Sequence, residues 1–108
     1  MFGGSAAPLF VIHNHDDKSH EVTVEVFDQN NNSIINETHT LERRSDFTRS
    51  RPLIVRLPWE DIEYTFKVTM DKQITNVTKV EIPDRKTSVN IRLYYEIIPI
   101  TITTVKWM

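Results

Sequence analysis

Three of the four histidines fall in one short run, His13-Asn14-His15-Asp16-Asp17-Lys18-Ser19-His20. Side chains alternate across an extended strand, so residues 13 to 15 in that conformation project His13 and His15 from one face as an H-x-H pair. Such a pair suits zinc or copper, with His20 or Asp17 as a third ligand. The competing reading is a hydrated turn in which Asp16 or Asp17 accepts hydrogen bonds from local backbone N–H groups. The turn is favoured, because short H-x-H pairs carry little specificity and no second ligand cluster occurs in the chain.

A second run, Arg43-Arg44-Ser45-Asp46-Phe47-Thr48-Arg49-Ser50-Arg51, sets Arg43, Arg44, Arg49 and Arg51 around one aromatic ring. Guanidinium forks bind phosphate, sulfate or carboxylate in two-point fashion, so these arginines are candidate anion or partner contacts. The alternative is a solvated loop whose arginine stems cover a sheet edge. Nucleic acid is not the expected partner, since the net charge is -2 and a single aromatic offers little stacking surface. Sequons at Asn31, Asn36 and Asn76 are candidate glycosylation sites, which places the protein outside the cell or at its surface.

Catalytic signatures are missing. The chain has no cysteine, no G-x-S-x-G, no phosphate-cradling glycine loop and no H-E-x-x-H. Adjacent carboxylates in a strand point apart, so Glu60-Asp61 is not a hydrolytic pair, and Asp16-Asp17 sits in the turn. The expectation is a protein that is not an enzyme and uses no cofactor.

The elements that position these residues are strands. Val22, Val24 and Val26 alternate with Glu21, Thr23 and Glu25; Tyr64, Phe66, Val68 and Met70 alternate with Thr65, Lys67 and Thr69; Val89, Ile91, Leu93 and Tyr95 alternate with Asn90, Arg92 and Tyr94. Shorter stretches rich in Val, Ile and Thr, at Pro8 to His13, Ser33 to Leu41, Pro52 to Leu57, Gln73 to Ile82 and Ile98 to Val105, read as further strands. Little helix is expected beyond a single turn near Leu41 to Phe47. Both glycines, Gly3 and Gly4, precede the first strand, so turns needing positive φ must draw on Asn or Asp. Asp28 to Asn32, Asp71-Lys72 as a two-residue hairpin loop, and Pro83 to Lys86 are the expected turns. The late apolar stretch Tyr94, Tyr95, Ile97, Ile98, Ile100, Ile102, Val105 and Trp107 reads as a closing core strand that Pro99 confines to an edge, or as an exposed edge that pairs with another chain.

The chain of 108 residues suits one core, and the expected fold is an all-β, antiparallel, immunoglobulin-like sandwich of about seven or eight strands over residues 8–108, preceded by a flexible leader over 1–7. The leader lacks a charged start and an apolar run and does not read as a signal peptide. No apolar stretch reaches the ~20 residues of a spanning helix, so no membrane insertion is expected. The run Val11 to Val26, a strand ending near Asn14, a polar turn and an alternating strand, resembles the opening of immunoglobulin-like and fibronectin type III-like modules. Ile62 to Gln73 is similar to the late hairpin of prokaryotic surface-protein repeats. The resemblance covers about residues 8 to 95, without the inter-sheet cysteine pair of antibody domains and with Trp59 placed beside Pro58 in a loop. It implies a module for adhesion, spacing or assembly, with a protein partner, a neighbouring domain or a homodimer through an edge strand.

Overall fold

β-branched residues recur with a period of two along most of the chain, and a strand that is apolar on one face is stable only when that face is buried against another layer. The computed structural model describes residues 7–50, 63–83 and 86–107. Among them are eight strands and no helix: β1 (Phe10–Asn14), β2 (His20–Phe27), β3 (Ser33–Leu41), β4 (Asp46–Arg49), β5 (Glu63–Met70), β6 (Ile74–Glu81), β7 (Thr87–Tyr95) and β8 (Ile98–Lys106). The strand expected over Pro52 to Leu57, Trp59, Arg51, the Glu60-Asp61 pair, Asp84-Arg85 and residues 1–6 of the leader lie outside the described residues.

Two four-stranded sheets result, ordered β4-β1-β7-β8 and β3-β2-β5-β6. The second sheet is antiparallel throughout, in the register Val24↔Glu37, Val24↔Val68 and Phe66↔Thr78. The first corrects the expectation of a wholly antiparallel sandwich: β1 runs parallel to β7, with Ile12 opposite Ile91, and antiparallel only to β4. Period-two alternation states which face of a strand is buried and is silent on its direction. Direction is decided here by the crossover after Asn14, which sends β2 into the other sheet and leaves β1 to be flanked by strands distant in sequence.

One layer of side chains fills the space between the sheets. Val22, Val24 and Val26 from β2 and Phe66, Val68 and Met70 from β5 face Phe10 and Ile12 from β1 and Val89, Ile91 and Leu93 from β7. Phe66 meets Phe10 edge to face at 6.0 Å, a favoured arrangement for the opposed charges of ring edge and ring face. The outward residues are polar, and Thr23–Thr38 and Thr69–Thr75 pair their hydroxyls across neighbouring strands.

The alternation of β7 breaks at its end. Tyr94 has φ +56° and turns back against the core, while Tyr95, expected inside with Leu93, lies on the outer face beneath Arg92 at 4.7 Å. A left-handed residue inverts the pleat locally, so the facing rule fails for the residues that follow it. Of the late apolar stretch, Ile100 and Ile102 are buried and Tyr95, Ile97, Ile98, Val105 and Trp107 are exposed. β8, with Pro99 in it, is an edge strand.

Phe66 is fully buried at the centre of the shared layer. Phe66→Ala is expected to destabilise the fold by about 3–5 kcal/mol, read as a lowered urea midpoint with an unchanged slope.

Candidate functional site

Four connections gather at one end of the sandwich: the β1–β2 loop, the β3–β4 turn, the β5–β6 turn and the β7–β8 turn. The registers require it, since Asn14 lies beside Leu93, His20 beside Leu41, Val22 beside Met70, and Tyr95 beside Ile98. The histidine run with its two aspartates, together with Arg43 and Arg44, lies here.

Asn14 is the stitch at the base of this end. Its buried amide donates to the carbonyls of Lys18 at 2.9 Å and Glu42 at 3.0 Å, while its Oδ1 accepts from the Asp16 N–H. Two connections distant in sequence are thereby joined through one side chain whose donors and acceptor are all used. The Arg44 N–H reinforces the joint by donating to the Asp16 carbonyl.

His20, at the start of β2, is the charged centre. Its ring is 8% exposed and donates from Nε2 to Asp16 Oδ2 at 2.7 Å and from Nδ1 to Asp71 Oδ2 at 2.6 Å. Two carboxylate acceptors on the two ring nitrogens require the doubly protonated imidazolium. Burial opposes that charge, but the bonds to Asp16 and Asp71 outweigh it and raise the His20 pKa above its ordinary value. The bond from His20 in turn holds Asp16 below the ordinary carboxylate range; Asp71 is lowered too, its burial being outweighed by His20 and by the Glu21 N–H. Tyr94 lies against the imidazolium at 5.3 Å.

His13 and His15 do project together, with ring centroids 6.0 Å apart, but His20 is not with them. His13 Nδ1 donates to Asp46 Oδ1 at 3.0 Å. His15 packs on Tyr95 at 5.1 Å, its Nε2 is buried without a hydrogen-bond partner, and burial followed by the charge of Arg92 lowers its pKa. Asp17 is occupied by Arg44 Nε at 2.9 Å. Among the described residues no group of three or more potential ligands is placed to hold a metal.

The arginines are likewise separated. Arg44 belongs to the loop end, and Arg43 lines a dent of about 360 Å³ there with Ser19, Thr40 and Glu42. Arg49 sits at the far end of β4, where its Nε–H is shared between the two carboxylate oxygens of Glu37 at 2.9 and 3.1 Å. Of the sequons, Asn31 and Asn36 are exposed, whereas the Asn76 amide donates to the Ile100 carbonyl at 2.9 Å.

Turn chemistry supplies the residues that sequence reasoning missed. Positive φ was expected at Asn or Asp, and Asn31 and Asp71 take it, but so do Arg44, Lys72, Tyr94, Glu96 and Ile97. Asp71-Lys72 forms a primed turn closed by the Gln73 N–H on Met70 O, yet the ladder resumes only at Ile74, which leaves three residues rather than two outside it. Asp71 is instead bound to β2, its N–H donating to Glu21 O and its Oδ1 accepting from Glu21 N–H. The two-residue hairpin loop is Glu96-Ile97, where no turn signal stands in the sequence. Both residues are left-handed, at φ +51° and +65°, and Ile97 is 93% exposed. A β-branched residue in that conformation carries strain that its own burial does not offset.

The chain matches no protein-family model and no curated protein in sequence. No helix among the described residues is long and apolar enough to cross a membrane.

Two outcomes are expected. Ile97→Gly relieves the left-handed strain without losing buried surface, so the variant should be about 1 kcal/mol more stable in urea unfolding, and an equal or lower midpoint would contradict the strain. His20, with its folded pKa raised, contributes stability that is complete below its unfolded pKa near 6.5 and is lost as pH rises through the folded value. Asp16 and Asp71, with folded pKa values lowered from 3.8, contribute stability present above that value and lost as pH falls through their depressed ones. The excess stability of the wild type over His20→Asn should therefore be largest between those limits and shrink on both sides; a difference independent of pH would refute the imidazolium bridge.

Proposed function

We propose that this protein is a non-enzymatic, immunoglobulin-like β-sandwich binding module of a secreted or surface-exposed protein, and that it meets a macromolecular partner with its loop end. The observation that carries the reading is the tip of the β7–β8 hairpin. Ile97 at 93% and Ile98 at 51% exposure form an apolar point, with Tyr95, 40% exposed beneath Arg92, at its base. Exposed apolar groups held together in a fixed geometry mark interaction surfaces more than scattered ones do.

The base of the tip supports the same reading. Tyr95 is fixed between His15 and Arg92, and Tyr94 rests on His20, which is tied to two further connections through Asp16 and Asp71. A rigid base lowers the ordering cost of binding, so apolar contact at the tip is used for affinity. Exposed Asn31 and Asn36 lie on the β2–β3 side as glycan acceptors, in keeping with a secreted parent.

Replacing Ile97 and Ile98 together by Asp should abolish capture of the native partner from cell-surface extract by the immobilised protein, while circular dichroism and the unfolding midpoint stay near wild type. Retention of the same partner by the double variant at wild-type affinity would sink the proposal.

A further inference from the structure

The four sheet edges are protected unequally. On one side of the sandwich β3 and β4 are sealed together: Arg49 Nε donates to both carboxylate oxygens of Glu37, His39 Nε2 donates to Glu37 Oε1 at 3.0 Å, and the His39 ring stacks on Phe47 at 3.9 Å. On the other side β6 and β8 are bridged near the loop end by Asn76 and Ile100, then diverge into a groove of about 650 Å³. Thr78, Val80, Ile102 and Thr104 are among the residues lining it.

The direction of the β8 backbone follows from two hydrogen bonds. The Ile100 carbonyl accepts from Asn76, so it points away from β7, and the Trp107 N–H donates to Lys86 O, toward the β7 side. Backbone groups alternate sides along an antiparallel strand, so Ile102 and Thr104 present their N–H and C=O to the groove. Among the described residues β8 forms a ladder only with β7.

Open edges invite pairing unless they are short, charged or covered. β4 is four residues long, β3 is sealed by its ion pair, and β6 carries Lys79 and Glu81. β8 has no charged residue from Ile98 to Val105, and past Pro99 it is built of Ile, Thr and Val, the strongest strand formers. Thr104 falls in the inward-facing series with Ile100 and Ile102, yet it is exposed and lines the groove.

We infer that β8 pairs antiparallel with β8 of a second copy of this chain about a two-fold axis near Thr104, joining two sheets into one across the groove. The edge does not repel itself. With Thr104 opposite its own counterpart, Lys106 falls opposite Ile102 of the second copy, so the strand's one cation is not set against itself. An isologous contact of this kind closes at two copies. The exposed Val105 and Trp107 flank the same edge and would be partly covered by it. This inference is independent of the loop-end reading, because the hairpin tip stays free in such a dimer.

Sedimentation equilibrium of the full chain tests it. The wild-type mass should rise from one chain toward two with concentration, and the Ile102 and Thr104 amides should exchange more slowly as it does. Thr104→Pro removes an N–H that the β7–β8 ladder does not use, so it should remain single-chain with the wild-type circular-dichroism spectrum. Thr104→Lys, which sets two cations on the axis, should also remain single-chain and covers the case in which the proline variant fails to fold. A wild type that stays one chain at every concentration, a mass that grows past two, or a folded Thr104→Lys that dimerises like wild type would each overturn the inference.

Discussion

A sandwich made from two open sheets buries its shared face readily but leaves four strand edges whose backbone groups have no ladder. Everything distinctive about this protein follows from how those edges and the ends between them are closed. On the β3–β4 side closure is electrostatic and aromatic. Glu37 is bound by both Arg49 and His39, and these bonds outweigh its burial and keep its carboxylate pKa low. On the β6–β8 side the Asn76 amide spans the gap, and beyond it a groove separates the two strands. The unequal closure gives the molecule one sealed flank and one grooved flank.

The loop end is closed by a different means. No glycine occurs after Gly4, so chain reversals beyond it are made by residues with a Cβ, and several are left-handed at some cost. Where side-chain hydrogen bonds repay the cost the turn is internally satisfied, as at Asp28, whose carboxylate accepts from the Asn30 and Asn32 N–H groups and is held low by them. At Glu96-Ile97 no such compensation occurs among the described residues. Strain is tolerated there because His20, clamped by Asp16 and Asp71, fixes the ground on which Tyr94 and the hairpin rest. The histidines of this end thus serve as packing and electrostatic supports, with His20 charged and His15 held toward neutrality by burial and Arg92.

The two proposed surfaces place different demands on the fold. A binding tip needs a rigid base and exposed apolar groups, and the price is local strain. A pairing edge needs regular, uncharged strand and a backbone that faces outward, which β8 supplies only beyond Pro99. The tip and the edge lie at different parts of the same hairpin, so β7–β8 carries both, while the opposite flank is closed by its ion pair.

Local spacing determined a good deal from the sequence alone. The inward positions of β2 and β5 and most of β7 were legible because alternation is a property of each strand, and Asp28 to Asn32 was legible because its side chains satisfy its own backbone. Asp16, which holds His20 from four residues away, stood in the same run, but Asp71 did not: it is 51 residues away and reaches His20 only because β5 chose β2 as its neighbour. The parallel β1–β7 pairing, the separation of His20 from His13 and His15, the division of the arginines and the open β6–β8 flank were all decided by which strands became neighbours. That choice is made by burial summed over the whole core, to which no single segment holds the answer.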